Sequence, residues 1–266
     1  MRRALAASGK TVPLVFVLLC LRCPAVSFAA PVLRLFEPTD MELEEPGVVE
    51  LDMQYGVVRG ESAYRLSLPD FEFDLGLTPS LEFDVDGEFA IGGPNSGAFA
   101  FDHPAPDNLW TSLKIGLLDF ADPGADVAWT LGTQLGPQFP IAQQAQGTGF
   151  EGLALLGCRF HHTYAVLNLG GRVDPAGGND SPRPAGVELG IYFEQPVDRA
   201  DVWALISNVG GIRYFSPDPD QLTTSAGIQW SPTDTLQLSL VGVYGWLSGG
   251  DQYGVLFGVS PKFRLW

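Results

Sequence analysis

The sequence predicts an all-β chain, a single antiparallel transmembrane β-barrel of about twelve strands with both termini in the periplasm. Three observations lead there. Apolar and polar residues alternate in segments of about ten residues from Val48 to Trp266, which puts alternate side chains on opposite faces of a strand. The links between segments alternate in length, as the short periplasmic turns and longer external loops of an outer-membrane barrel do. An export signal precedes all of it.

Residues 1–29 read as that signal. Arg2, Arg3 and Lys10 make a basic start, Val12 to Leu21 is a short apolar run, and Ser27-Phe28-Ala29 offers small residues for cleavage after Ala29 or Ala30. The run is too short for a spanning helix, which needs about 20 apolar residues. A lipoprotein anchor fails because neither Cys20 nor Cys23 follows a small residue. Cleavage leaves Cys158 as the single thiol, without an internal disulfide partner, so it reads as a small apolar strand residue. The signal also removes four bases and no acid, taking the formal net charge from −16 to −20. So acidic a chain excludes nucleic-acid binding and attraction to anionic lipid by bulk electrostatics.

Residues 30–47 are acidic and proline-containing without a clear period, and read as a periplasmic lead-in. The barrel occupies 48–266. Its first three segments (48–58, 61–76 and 80–91) alternate most strictly, as in Val49-Glu50-Leu51-Asp52-Met53-Gln54-Tyr55 and Leu81-Glu82-Phe83-Asp84-Val85-Asp86. Segments 109–119 and 126–139 follow, with Trp110 near a strand end, where barrel aromatics gather. Segment 149–159 alternates weakly and leaves its inward face open, whereas 162–173, 185–195 and 201–214 return to period two. The last three are 222–231, 235–247 and 253–265, with Trp230, Tyr244 and Trp246 near their ends. No helical stripe of useful length interrupts the series, and 32 Gly and 21 Pro punctuate it too often for one.

Phase assigns the faces. Leu51, Phe83, Leu113, Trp129, Leu131, Leu169, Leu189, Leu205, Ile228, Leu240 and Phe257 point outward to lipid. The inward set is charged or amide-bearing, and the candidate lumen-lining residues are Asp52, Asp74, Asp84, Asp86, Glu88, Lys114, Arg172 and Arg264. Acids come from the first three segments and bases from later ones. Two arrangements fit: an ion-pair network filling a narrow lumen, or a transverse field across a water-filled pore. Twelve strands lie between the eight-stranded barrels filled by side chains and the 16–18-stranded open porins.

Other motifs fail their context tests. Gly147-Thr148-Gly149-Phe150-Glu151-Gly152 matches a dinucleotide-binding glycine pattern, but a strand follows it where that pattern requires a helix. His161-His162 falls in a short turn and His103 in an external loop, on opposite sides of the membrane, so they form no shared catalytic or metal site. The chain is therefore expected to be no enzyme, with no cofactor and no metal.

Several stretches carry a family resemblance. They are Glu50 to Gly60, Phe71-Glu72-Phe73-Asp74-Leu75-Gly76-Leu77-Thr78-Pro79-Ser80-Leu81-Glu82-Phe83, and Asp107-Asn108-Leu109-Trp110 opening a strand that ends Lys114-Ile115-Gly116. Leu131-Gly132 to Pro140, Gly147-Thr148-Gly149 and Leu167-Asn168-Leu169-Gly170 extend the series. Residues 48–266 thereby resemble the outer-membrane β-barrel transporter family named after the meta-cleavage pathway of phenol degradation. That resemblance implies a channel for small, often aromatic or apolar compounds, and no catalytic residues. The function expected is passive movement of small molecules across the outer membrane of a diderm bacterium, with the 92–108 loop restricting the entrance. The competing expectation is a structural or adhesion barrel with a plugged lumen. Expected partners are outer-membrane lipid and lipopolysaccharide, the barrel-assembly machinery and a small-molecule solute.

Overall fold

A computed structural model describes residues 42–60, 64–91, 105–119, 127–142, 145–176, 183–198, 200–216, 219–247, 249 and 251–266. The expected signal, His103 and most of the 92–108 loop lie outside these residues. Twelve long strands are described: β1 (Val48–Arg59), β2 (Tyr64–Thr78), β3 (Leu81–Ile91), β4 (Leu109–Asp119), β5 (Val127–Phe139), β6 (Gly149–Phe160), β7 (Thr163–Val173), β8 (Ala185–Pro196), β9 (Trp203–Ser216), β10 (Gln221–Thr233), β11 (Leu236–Gly245) and β12 (Tyr253–Arg264). A two-residue strand, Ala105–Pro106, pairs with the end of β3. Each long strand pairs antiparallel with its neighbours in sequence, and β1 closes the sheet on β12, with Val49 opposite Phe263 and Tyr55 opposite Phe257. Closure of β1 on β12 leaves none of the described long strands at a free sheet edge.

The twelve expected segments match these strands to within three residues at each end. Two-residue turns join β2 to β3 (Pro79-Ser80), β6 to β7 (His161-His162) and β10 to β11 (Asp234-Thr235). They lie at one end of the barrel, the end that also holds Gly47 and Leu265, whose amide donates to the Gly47 carbonyl. His161 accommodates its tight turn with φ of 53°. The opposite end carries the three longest links, 92–108, 140–148 and 174–184. Among the described residues no helix is long and apolar enough to cross a membrane.

The two faces separate as phase predicts. Leu169, Leu189, Leu205, Ile228, Leu240 and Phe257 are exposed on the outer wall, while Glu50, Asp52, Glu82, Asp84 and Lys114 are buried inside. Stacked Trp203 and Trp230, with ring centroids 5.6 Å apart, sit near the short-turn end, and Tyr244 with Trp246 sits near the other. The weakly alternating segment resolves as well: Leu153 and Leu155 of β6 face inward and pack with Val166 and Tyr192. Half-buried Cys158 shares the outward phase with Leu156 and pairs across to Trp129 and Ala165. Because such closed ladders survive detergent until heated, the purified barrel is expected to migrate differently on SDS gels before and after boiling. Identical migration, with full release from membranes by alkaline carbonate, would contradict an integral barrel.

Candidate functional site

The interior is organised by register. On β1, β2 and β3 the inward residues form three rungs, each crossing all three strands. Glu50 lies opposite Asp74 and Asp74 opposite Asp84; Asp52 opposite Glu72 and Glu72 opposite Asp86; Gln54 opposite Asp70 and Asp70 opposite Glu88. Eight of these nine positions are carboxylates. Like charges directly opposite one another on a sheet are destabilising. The strict alternation of these three segments makes the grid unavoidable once they pair.

Cations and polar groups from the flanking strands answer part of that charge. Lys114 Nζ on β4 reaches Glu82 Oε1 at 3.0 Å, and both side chains are only 2–3% exposed. Lys262 on β12 meets Glu44 at 2.6 Å, Glu50 at 3.0 Å and Glu42 at 3.8 Å. Arg65 binds Glu88 at 2.6 Å and Asp251 at 2.8 Å. Ser112 Oγ and Gln134 Nε2 donate to Asp84 Oδ2 at 2.8 and 3.0 Å. Oxygens of Glu50, Asp52 and Asp74, and of Asp74, Glu82 and Asp84, lie within 4.8 Å of one another. That spacing suits a hard cation bound by carboxylates. Ammonium groups of Lys114 and Lys262 reach the same clusters, however, so part of this charge is met without a metal.

The lead-in belongs to the site. Glu44 donates its amide to Glu82 Oε2 at 2.5 Å, Gly47 donates to the Gly76 carbonyl, and Glu45 pairs with Arg264. A Cβ at Gly76 would collide with the Glu44 and Glu45 carbonyl oxygens, so only glycine lets the segment lie this close. Gly47 turns the chain into β1 with φ of 80°, under the Trp266 ring. Residues 42–47 thus lie at the short-turn end against β2, β3, β4 and β12, with Leu43 against Gly116.

Seven of the eight sequence-named residues lie on the inner wall. Asp52, Asp74, Asp84, Asp86 and Glu88 share the acidic wall, and Lys114 joins it directly rather than opposing it. Arg172 stands on a different wall, bonded to Asp174 at 2.8 Å and near Glu151 at 3.5 Å and Glu188 at 3.8 Å, with its guanidinium 4.8 Å from the Trp110 ring centre. Arg264 is the exception: its side chain is 58% exposed at the rim. Of the two arrangements that the sequence left open, these contacts are those of local ion pairing. Buried charges without partners are too costly to hold apart across a narrow interior. Sequence reading also passed over Glu44 and Glu50 as anchors for Lys262, and over the apolar interior cluster of Val58, Ile206, Val241, Val243 and Leu256. Inward phase was the available signal for that cluster, but Val and Leu look alike on either face.

No family profile and no curated protein sequence matches this chain. Solved structures do resemble it in fold. The NanC porin is 10% identical, with a TM-score of 0.57 over 81% of this chain and 100% of the porin. The translocator domain of autotransporter NalP from Neisseria meningitidis is 12% identical, with a TM-score of 0.45 over 84% of this chain and 91% of that domain. A loop-deletion mutant of OmpT from Vibrio cholerae is 8% identical, with a TM-score of 0.43 over 81% and 98%. Strand closure, an apolar outer wall and the likeness to NanC give this chain the fold of an outer-membrane β-barrel.

Proposed function

We propose that the barrel is a passive channel for small molecules, with the short-turn end and both ends of the barrel domain on the periplasmic side and a lumen that favours cations mildly. The acidic grid carries this reading. A barrel that only needed filling would not oppose eight carboxylates on three adjacent strands, since each opposed pair costs stability. Such a patch lowers the barrier for cations and raises it for anions, while Lys114, Lys262 and Arg65 offset part of the effect. Resemblance to the NanC porin in fold, and to the phenol-pathway transporter family in sequence, supports the same function.

A closed barrel is the second reading, favoured by the burial of the inner wall: Asp84, Leu155 and Val166 are all at 0% exposure. Planar-bilayer recording separates the two. Wild-type protein is expected to conduct, with a reversal potential under a salt gradient on the cation side. Replacing Asp84→Asn and Asp86→Asn together is expected to shift that potential toward anions. Conductance with an unmoved potential would make the grid a structural network, and no conductance at all would leave the closed barrel.

A further inference from the structure

Strand pairing sorts charge between the two faces of the wall. Every acid in the twelve strands is in the inward phase, from Glu50 on β1 to Glu194 on β8. Among the described strand residues two charged side chains take the outward phase, and both are cations at the long-loop end. Arg59 ends β1 opposite Tyr64 and Tyr253, and Arg213 on β9 lies opposite Val187. The acidity of the whole chain therefore does not describe the surface that lipid meets.

Arg59 is held among aromatic rings. Its guanidinium carbon lies 4.9 Å from the centre of the Tyr64 ring, a cation–π distance. Tyr64 and Tyr253, from the strands on either side, join hydroxyls at 3.1 Å. Tyr253 pairs in turn with Tyr244, whose ring packs edge-on to that of Trp246 at 5.0 Å. Trp246 Nε1 donates to Thr224 Oγ1 at 2.8 Å. These four rings are exposed, and such a belt marks the depth of lipid headgroups. Next below on the outer wall come Val57 on β1 and Val255 and Phe257 on β12, all exposed. Gly242 pairs with Val255 and Ala226 and leaves a shallow gap, where an added Cβ would find its nearest atom 3.9 Å away.

A guanidinium at that depth calls for an anion. Among the described residues no side chain accepts a hydrogen bond from Arg59, and Asp251, two residues before Tyr253, turns to Arg65 at 2.8 Å. The anion found at headgroup depth is phosphate, which takes two parallel hydrogen bonds from the planar fork of an arginine. A zwitterionic headgroup carries its own cation beside the phosphate, so an anionic lipid suits the site better.

We infer that Arg59, clasped by Tyr64 and Tyr253, binds the phosphate of an anionic lipid whose acyl chain lies along Val57, Val255 and Gly242. The site holds whether or not the lumen conducts. Native mass spectrometry of the folded full-length barrel in neutral detergent tests it, with dioleoylphosphatidylglycerol against dioleoylphosphatidylcholine. One phosphatidylglycerol is expected to be retained about tenfold more tightly than phosphatidylcholine. Arg59→Gln should remove that advantage, as loss of charge-assisted hydrogen bonds does. Arg213→Gln, at the outward cation that no ring clasps among the described residues, should leave it intact. The heat-dependent gel shift checks that each variant folds. Glycerol 1-phosphate, which has the phosphate but no acyl chain, is expected not to compete at the concentration of the lipid. Equal retention of the two lipids by wild-type protein would overturn the site and give the charge of Arg59 to an acid of its own chain, such as Glu61 in the adjoining link. Phosphatidylglycerol retention unchanged in Arg59→Gln, or lowered as much by Arg213→Gln, would overturn it in favour of diffuse attraction. Full competition by glycerol 1-phosphate would overturn the lipid and leave a site for a free phosphoester.

Discussion

Leu240→Arg is expected to lower the stability of the folded barrel by about 2–4 kcal/mol, the cost of placing an arginine against lipid near the middle of the bilayer. Leu240 occupies the middle of β11, 51% exposed on the outer wall, between Ile228 and Phe257 on the neighbouring strands. Those three side chains belong to the apolar belt, where lipid is the solvent and a guanidinium finds no counter-charge. Arginine at Asp234, in the exposed two-residue turn outside that belt, should change stability little. Urea unfolding of the barrel in lipid vesicles measures both. Equal losses at the two positions would show that the outer wall does not meet lipid.

Lys114→Met is the inward counterpart. Its ammonium and the Glu82 carboxylate are sealed together, and removing one member of such a pair typically costs about 3–5 kcal/mol because the other charge stays buried. Here the loss is compounded by position: Glu82 borders Asp84 and Asp74, whose oxygens it approaches within 4.8 Å. Adding Glu82→Gln to Lys114→Met should recover most of the loss. Glutamine removes the stranded charge yet keeps an oxygen to accept the Glu44 amide, which reaches Glu82 at 2.5 Å. The same urea midpoints decide the outcome. A double variant no more stable than the single one would mean that the lysine acts through packing alone, not through charge.

These two sites mark where sequence reading succeeds and where it stops. Leu240 could be assigned to lipid from Thr235-Leu236-Gln237-Leu238-Ser239-Leu240 alone, because a strand's period of two leaves each side chain only two faces. The inward direction of Asp52, Asp74, Asp84 and Lys114 was legible for the same reason. Segment 149–159 was not, since Leu153, Leu155 and Leu156 are apolar on both faces and carry no contrast.

By itself, then, the sequence determined that the chain is a barrel of about twelve strands, their bounds to within three residues, and the inward direction of most of the polar residues. All of these follow from local alternation and turn chemistry. Tertiary structure alone decided which inward residues meet. Lys262 reaches Glu44 across 218 residues of sequence because closure of β12 on β1 brings the two ends of the barrel domain together. Register then set eight carboxylates in rungs, placed the bases beside them rather than opposite, and left Gln229 and Ser239 facing each other without partners. Alternation fixes the face of a residue but not its height on the wall, and height depends on the stagger of the closed sheet.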